Sequence, residues 1–261
     1  MTVFLHELKQ HKISLLIWSL VIAYMLGICI IIYPEMSSQM GDISEMFADM
    51  GSFSAAFGMD QLNFGDFLGY FSIECGNALG MGGAFFAALI GIAALAKEEK
   101  DHTAEFLLTH PISRMRIISE KLLSVFAQIV ILNTVVILVS VAFTAIIGES
   151  IDTKTLVLLF LSYFLLQLEI AGITFGISAF LKNGGLGIGL GLAAVMYFLN
   201  IIANLTEEVE FLKHITPFGF ADAAHIATNV AISGKYLLTN LALMLIGIIL
   251  AYWKYNKKDI A

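Results

Sequence analysis

Apolar residues along this chain gather into six long runs, approximately 13–33, 70–96, 119–147, 155–181, 186–205 and 236–253, with polar stretches between them. A helix needs about 20 residues to cross a hydrocarbon core, and the runs match that length. Lipid offers no partner to backbone N–H and C=O groups, and no run shows the apolar/polar alternation of a barrel strand. The pattern therefore predicts an all-α, polytopic membrane protein with six transmembrane helices. The first run begins after twelve polar or amphipathic residues and ends in IIIYPEM, without a small-x-small cleavage pattern, so it reads as a span and not as a signal peptide. No linker, low-complexity tract or internal repeat is evident. Residues 1–261 are expected to form a single transmembrane domain.

The polar stretches carry patterns of their own. In TVFLHELKQHK, Phe4 and Leu8 fall on one side and Glu7, Lys9 and Lys12 largely on the other, as in a short amphipathic helix at the membrane interface, with a plain polar lead-in to the span as the alternative. Between the first two runs, Met36, Met40, Ile43, Phe47 and Met50 recur at helical intervals opposite Asp42, Glu45 and Asp49, a face for packing on the bundle or for binding. Gly76, Gly80 and Ala84 in the second run, and Gly185 with Gly189 and Gly187 with Gly191 in the fifth, have the small-x-x-x-small spacing that lets helices approach closely. That spacing serves contacts within the chain or across a dimer equally.

Composition agrees with the pattern. The chain is 59% hydrophobic and 13% charged, against about 25% charged in an average soluble domain. Basic residues then set an orientation. Lys9, Lys12, Lys97, Lys100, Arg114, Arg116, Lys121, Lys182, Lys254, Lys257 and Lys258 share one side, and only Lys154, Lys213 and Lys235 the other. Positive residues stay inside, so both termini are expected in the cytosol of a cell with this chain in its cytoplasmic (inner) membrane. The net charge of -7 is then a property of the outer face. Basic residues scattered as topology anchors make nucleic acid an unsuitable partner. Cys29 and Cys75, near the outer ends of spans one and two, read as small packing residues, although a disulfide is conceivable.

The densest run of charge is KEEKDHTAEFLLTHPISRMR, residues 97–116, between spans two and three. Asp101 or Thr103 can cap a short helix carrying Phe106, Leu107 and Leu108, which must stop before Pro111, and Ser113 can cap the helix that enters span three. The product is a rod of about seven residues, roughly 10 Å long, apolar on one side and charged at its rim. Such a rod suits a groove in another protein. A solvated loop would leave EFLL in water.

Here the chain resembles the membrane subunits of the type-two exporter group of ATP-binding-cassette transporters. EEKDHTAEFLLTHPISR is similar to that family's acidic residues, hydrophobic cluster, proline and basic residue entering span three, although His102-Thr103 stands where a Gly-Thr pair is common. HITPFGFADAAHI, residues 214–226, is similar to its Pro-Phe segment between spans five and six. The resemblance implies that Glu98, Glu99, Thr103, Phe106, Leu107, Pro111 and Arg114 meet a separate cytosolic ATP-binding-cassette subunit, which holds ATP and Mg. It further implies that Pro217, Phe218 and Asp222 belong to a helical lid on the outer side, and that a second permease subunit, identical or related, completes the translocation path.

The chain has no ATPase motif of its own. No G-x-x-x-x-G-K-[ST] loop occurs, and SGKYLL lacks its upstream glycine and hydroxyl residue. The six histidines show no metal-ligand spacing, and GISAF around Ser178 lacks the second glycine of a nucleophile turn. Two acidic residues lie within spans: Glu74, about a turn inside span two, and Glu169, near the middle of span four. Glu169 should face the protein interior, a wet cavity or a polar neighbour such as Gln128, Asn133 or Gln167, as either a working group or a packing device. The favoured function is a permease subunit of an ATP-driven exporter with an amphipathic or hydrophobic substrate, such as a peptide antibiotic or lipid-like molecule. The alternative is a stand-alone ion-coupled transporter that uses Glu169, for which inverted repeats with broken helices would be expected.

Overall fold

The computed structural model describes residues 2–56, 61–100, 113–181 and 184–257. Helices α1 (Thr2–Asp49), α2 (Ser52–Ala56) and α3 (Phe67–Cys75) come first, and a π-helical segment (Gly76–Gly82) joins α3 to α4 (Gly83–Lys100). Then come α5 (Arg114–Ile146), α6 (Thr153–Ser178) and α7 (Leu186–Ala203). Two 3-10 turns (Glu207–His214 and Pro217–Gly219), α8 (Ala223–Asn229) and α9 (Gly234–Lys257) complete the order. Among the described residues there is no β-strand. Six stretches are long and apolar enough to cross a membrane: Val3–Ser37, Phe67–Lys97, Arg114–Ile146, Thr153–Ser178, Leu186–Ala203 and Gly234–Lys257. Each overlaps one of the six expected runs.

Local chemistry sets the helix starts. Ser113 accepts a hydrogen bond from the Arg116 N–H at 3.3 Å and so caps α5, as its position before the span predicts. Asp152 caps α6 through the Thr155 N–H at 3.1 Å. Asp222 caps α8 through two N–H groups, those of Ala224 and His225. After α5, Gly148 takes φ +75°, a left-handed conformation that costs little only for glycine, and the chain turns back.

Of the two expected forms of the N-terminal segment, the structure shows the lead-in to span one. It does not form a separate short helix, because α1 runs unbroken for 48 residues through span one to Asp49. The lead-in has no glycine or proline to break it, and Pro34 is accommodated within the helix. The buried face also differs from the expected one. Val3 and Glu7 are buried and Leu5 is exposed, because α5 covers the Val3 and Glu7 side of this turn of α1.

Spans two and four form the centre. Of their most apolar windows 67% and 56% is buried, against 22% and 17% for spans five and six, whose remaining surface is left for lipid. α6 packs on α4 and on α9, α1 lies along α5, and α7 lies on α4. The α6–α9 approach depends on absent side chains: a Cβ on Gly176 would sit 2.5 Å from the Gly247 carbonyl oxygen. In α7 the two glycine pairs separate. A Cβ on Gly189 would meet Ile92 at 2.8 Å, whereas Gly187 and Gly191 face open space.

Candidate functional site

Polar side chains inside this apolar bundle occur at three levels. At the end where α1 begins and α9 finishes, Lys121 on α5 is only 2% exposed, and its Nζ lies 2.6 Å from Glu7 Oε1 and 2.9 Å from the Ala94 carbonyl oxygen. This ammonium joins α1, α4 and α5. His11 approaches the other Glu7 oxygen at 3.6 Å. One residue away, Glu120 Oε2 accepts from the Val3 and Phe4 N–H groups at 3.0 and 3.1 Å, filling positions that the first turn of any helix leaves without a partner. Arg116 Nε donates to the other Glu120 oxygen at 2.9 Å. Arg114 Nη1 donates to the carbonyls of Tyr255 and Asn256 at 3.4 and 3.3 Å, a cation at the C-terminal end of α9. Four helices are thus tied around the first turns of α5.

The sequence placed Arg114 at a partner surface and among the topology anchors, and read Lys121 only as a topology anchor. Nothing in a single sequence reveals a pairing across 114 positions. Glu98 and Glu99 lie on the last turn of α4, with side chains outside the described residues. Thr103, Phe106, Leu107 and Pro111, with the expected short helix, also lie outside them. The segment they belong to leaves α4 at Lys100 and rejoins the bundle at Ser113, where these ties converge.

The second level is midway along α6. Asn133 Nδ2 donates to Gln167 Oε1 at 2.6 Å and to the Ile129 carbonyl at 2.8 Å, and Gln167 Nε2 donates to the Leu79 carbonyl at 3.1 Å. This relay links α5, α6 and the π-helical segment. A Cβ on Gly83 would lie 2.2 Å from Gln167 Nε2, so the glycine gives the amide its place. Glu169 is not part of the relay. It faces the protein interior, the first of its expected placements, and meets none of Gln128, Asn133 or Gln167: it is fully buried, and neither carboxyl oxygen has a hydrogen-bond partner. The reason is helical geometry. Residues two apart on a helix point away from each other, so with Gln167 turned to α4 and α5, Glu169 shares the face of Gly172 and Gly176 toward α9. Gln128 bonds only within α5, to Ser124. Glu74 lies apart from both groups, half-buried, with the Cys29 thiol 3.5 Å from its Oε2. Cys29 and Cys75 are both free thiols.

The third level lies at the opposite end. Tyr163 on α6 is buried against the π-helical segment, where a Cβ on Gly76 or Gly80 would approach its ring or hydroxyl to 3.0 Å. Beside it is a cavity of about 100 Å³ lined by Gly76, Asn77, Tyr163, Tyr197, Asn200, Phe218 and Asp222 among others. A second cavity of about 250 Å³ shares Asn204 and Asp222 with the first and adds Glu207, Glu210 and Lys213. Of the expected lid residues, Phe218 and Asp222 line the first cavity and Asp222 the second, and Pro217 lines neither. Pro217 and Phe218 are buried, with Phe218 edge-on to Tyr197 at 5.3 Å, and the Thr216 hydroxyl donates to the Met196 carbonyl at 2.7 Å. At the rim, hydrogen bonds from the Tyr236 hydroxyl and then the Lys235 ammonium hold the Glu210 carboxyl below its usual range. Tyr163, Asn200 and Tyr197 were not singled out in the sequence. An isolated tyrosine or asparagine within an apolar run was their only signal.

Among the described residues no three His, Cys, Asp or Glu side chains gather as metal ligands. Six apolar helices with polar contacts sealed between them define an integral membrane protein, with a cluster of ion pairs at one end and a cavity at the other. The chain belongs to the ABC-2 family: the family model described as ABC-2 family transporter protein matches residues 1–260. It is accordingly a membrane permease subunit of an ATP-binding-cassette transporter, a class in which the ATPase resides on a partner. A search against curated protein sequences returned no match.

Proposed function

We propose that this chain is the permease of an ATP-driven exporter, working as a dimer with two cytosolic nucleotide-binding subunits that act on residues 98–114. The observation that carries this reading is the tie at the base of the bundle. The segment between Lys100 and Ser113 is flanked by helices locked to one another through Lys121, Glu120 and Arg114. Force applied to the segment is therefore delivered to α1, α4, α5 and α9 together, as rigid-body motion of packed helices requires. In this reading both termini and the segment lie in the cytosol, in keeping with the distribution of basic residues, and the cavity beside Tyr163 opens outward. Glu98, Glu99, Thr103, Phe106, Leu107 and Pro111 dock the ATPase. Arg114 anchors the segment to α9. Gly187 and Gly191, facing open space, leave room for a second permease subunit. The substrate is amphipathic or hydrophobic, and ATP and Mg are held by the partner.

The test is copurification from native membranes followed by an ATPase assay. An ATP-binding-cassette subunit is expected to copurify with the wild-type chain and to be lost when Phe106 and Leu107 are both changed to Asp. Recovery of that subunit undiminished with the double variant would reject this docking site. Accessibility of position 106 only from outside the cell would reject the orientation.

A further inference from the structure

The cavity beside Tyr163 has a chemical bias. Tyr163 is 2% exposed, lines the cavity, and its hydroxyl has no hydrogen-bond partner. Asn200 Oδ1, on the α7 side of the same cavity, is likewise buried and without a partner. On the third wall Asp222 uses Oδ1 for both capping bonds, to Ala224 N–H and His225 N–H, and Oδ2 enters none. Buried polar atoms in folded proteins nearly always find partners, so the buried Tyr163 and Asn200 oxygens, with the third, partly exposed oxygen of Asp222 beside them, point to something that belongs there. Two of the three can only accept hydrogen bonds, and one belongs to an acidic side chain, which disfavours an anion or a pure acceptor.

We propose that this cavity binds a primary ammonium group, the cationic head of an amphipathic molecule. An alkylammonium has three N–H donors and no acceptor, which matches Asn200 Oδ1, Asp222 Oδ2 and the Tyr163 hydroxyl one for one. The volume of about 100 Å³ is well below the roughly 300 Å³ at which pockets enclose a drug-sized ligand. It admits the head and a few carbons. Leu62, Ile73, Ile201 and Phe218, which line the same cavity, suit those carbons. The neighbouring cavity, with Glu207 and Glu210 against Lys213, continues the bias toward cations. Two glycines of the π-helical segment create the space for the Tyr163 ring, and π-helical turns recur at functional sites. The role of such a ligand as cargo rests on the exporter reading; its binding does not.

The test uses the full-length purified chain in phosphatidylcholine nanodiscs, without the ATPase, so that a failure here leaves the coupling result untouched. Calorimetric titration with n-butylammonium is expected to show saturable binding. n-Butanol, of similar shape but uncharged, and tetramethylammonium, charged but without N–H donors, should each bind at least about tenfold more weakly. Asn200→Leu and Asp222→Asn should each lose about tenfold in affinity. Asp222→Asn retains a capping side chain for α8, and Tyr163→Phe removes only an oxygen, so an unchanged melting temperature separates loss of site from loss of fold. Adding phosphatidylethanolamine to the nanodiscs identifies the source of the group: competition assigns a lipid head, and lack of competition with binding retained assigns a soluble amine. Absence of saturable binding, equal affinity for butanol, or affinity unchanged in all three variants would overturn the proposal.

Discussion

Removing Lys121 tests the tie at the base of the bundle most directly. Lys121→Met keeps the length of the side chain and deletes its charge, leaving Glu7, 7% exposed, without its 2.6 Å partner and the Ala94 carbonyl without its 2.9 Å donor. Breaking a buried ion pair from one side costs about 3–5 kcal/mol, because the remaining charge stays desolvated. His11, 3.6 Å from Glu7, offers partial compensation and favours the lower end of that range. Glu7→Leu should cost a similar amount for the mirror-image reason. The double variant Glu7→Leu/Lys121→Met leaves neither charge buried and should return to within about 1 kcal/mol of the wild type, since apolar replacements of buried pairs are close to neutral. Denaturant unfolding of the four proteins in mixed micelles, read as a double-mutant cycle, gives the coupling directly. Two single losses under about 1 kcal/mol that simply add in the double would refute the tie.

Three further outcomes follow from single positions. Gly176→Ala places a Cβ 2.5 Å from a backbone oxygen of α9 that cannot swing aside, so a loss of about 1–3 kcal/mol is expected in the same unfolding assay, and an unchanged midpoint would show that α6 and α9 slide freely. Glu169→Leu removes two buried oxygens without partners and should stabilise by about 1–2 kcal/mol while leaving ATP-driven transport intact. Loss of transport in that variant without loss of fold would favour ion coupling through Glu169. Tyr236→Phe deletes the first cause of the lowered Glu210 pKa. A carboxyl whose folded pKa is depressed adds stability above its unfolded value, near 4.3, and loses it as pH falls through the folded one, so the melting temperatures of wild type and variant should differ near neutrality and converge in acid. Parallel curves across that window would exclude the contact.

The spans were legible because a bilayer demands a long apolar run and leaves few alternatives, and Ser113 was legible because a cap is a local device. α1 was less so. Its lead-in and its Met-bearing stretch each read as an element of their own, yet the helix carries through Pro34 and the chain continues as one rod. The π-helical turn could not be foreseen either, since glycine spacing in GNALGMG announces close packing but not that the partner is the ring of Tyr163. Glu169 shows the limit most plainly. Its depth in span four was readable, but its facing depends on rotation of α6 about its own axis, which Gln167, Gly172 and Gly176 fix together through neighbours distant in sequence.

The length of α1 has a mechanical consequence. Its 48 residues make a rod of about 72 Å, more than twice the roughly 30 Å of oily membrane it must pierce. Its foot is pinned to α5 by Glu120 and Lys121, and the helix carries on through Pro34 to Asp49. A rocking of about 10° at the foot would sweep the far tip through about 12 Å. This lever would magnify small displacements on one face of the bilayer into large ones on the other.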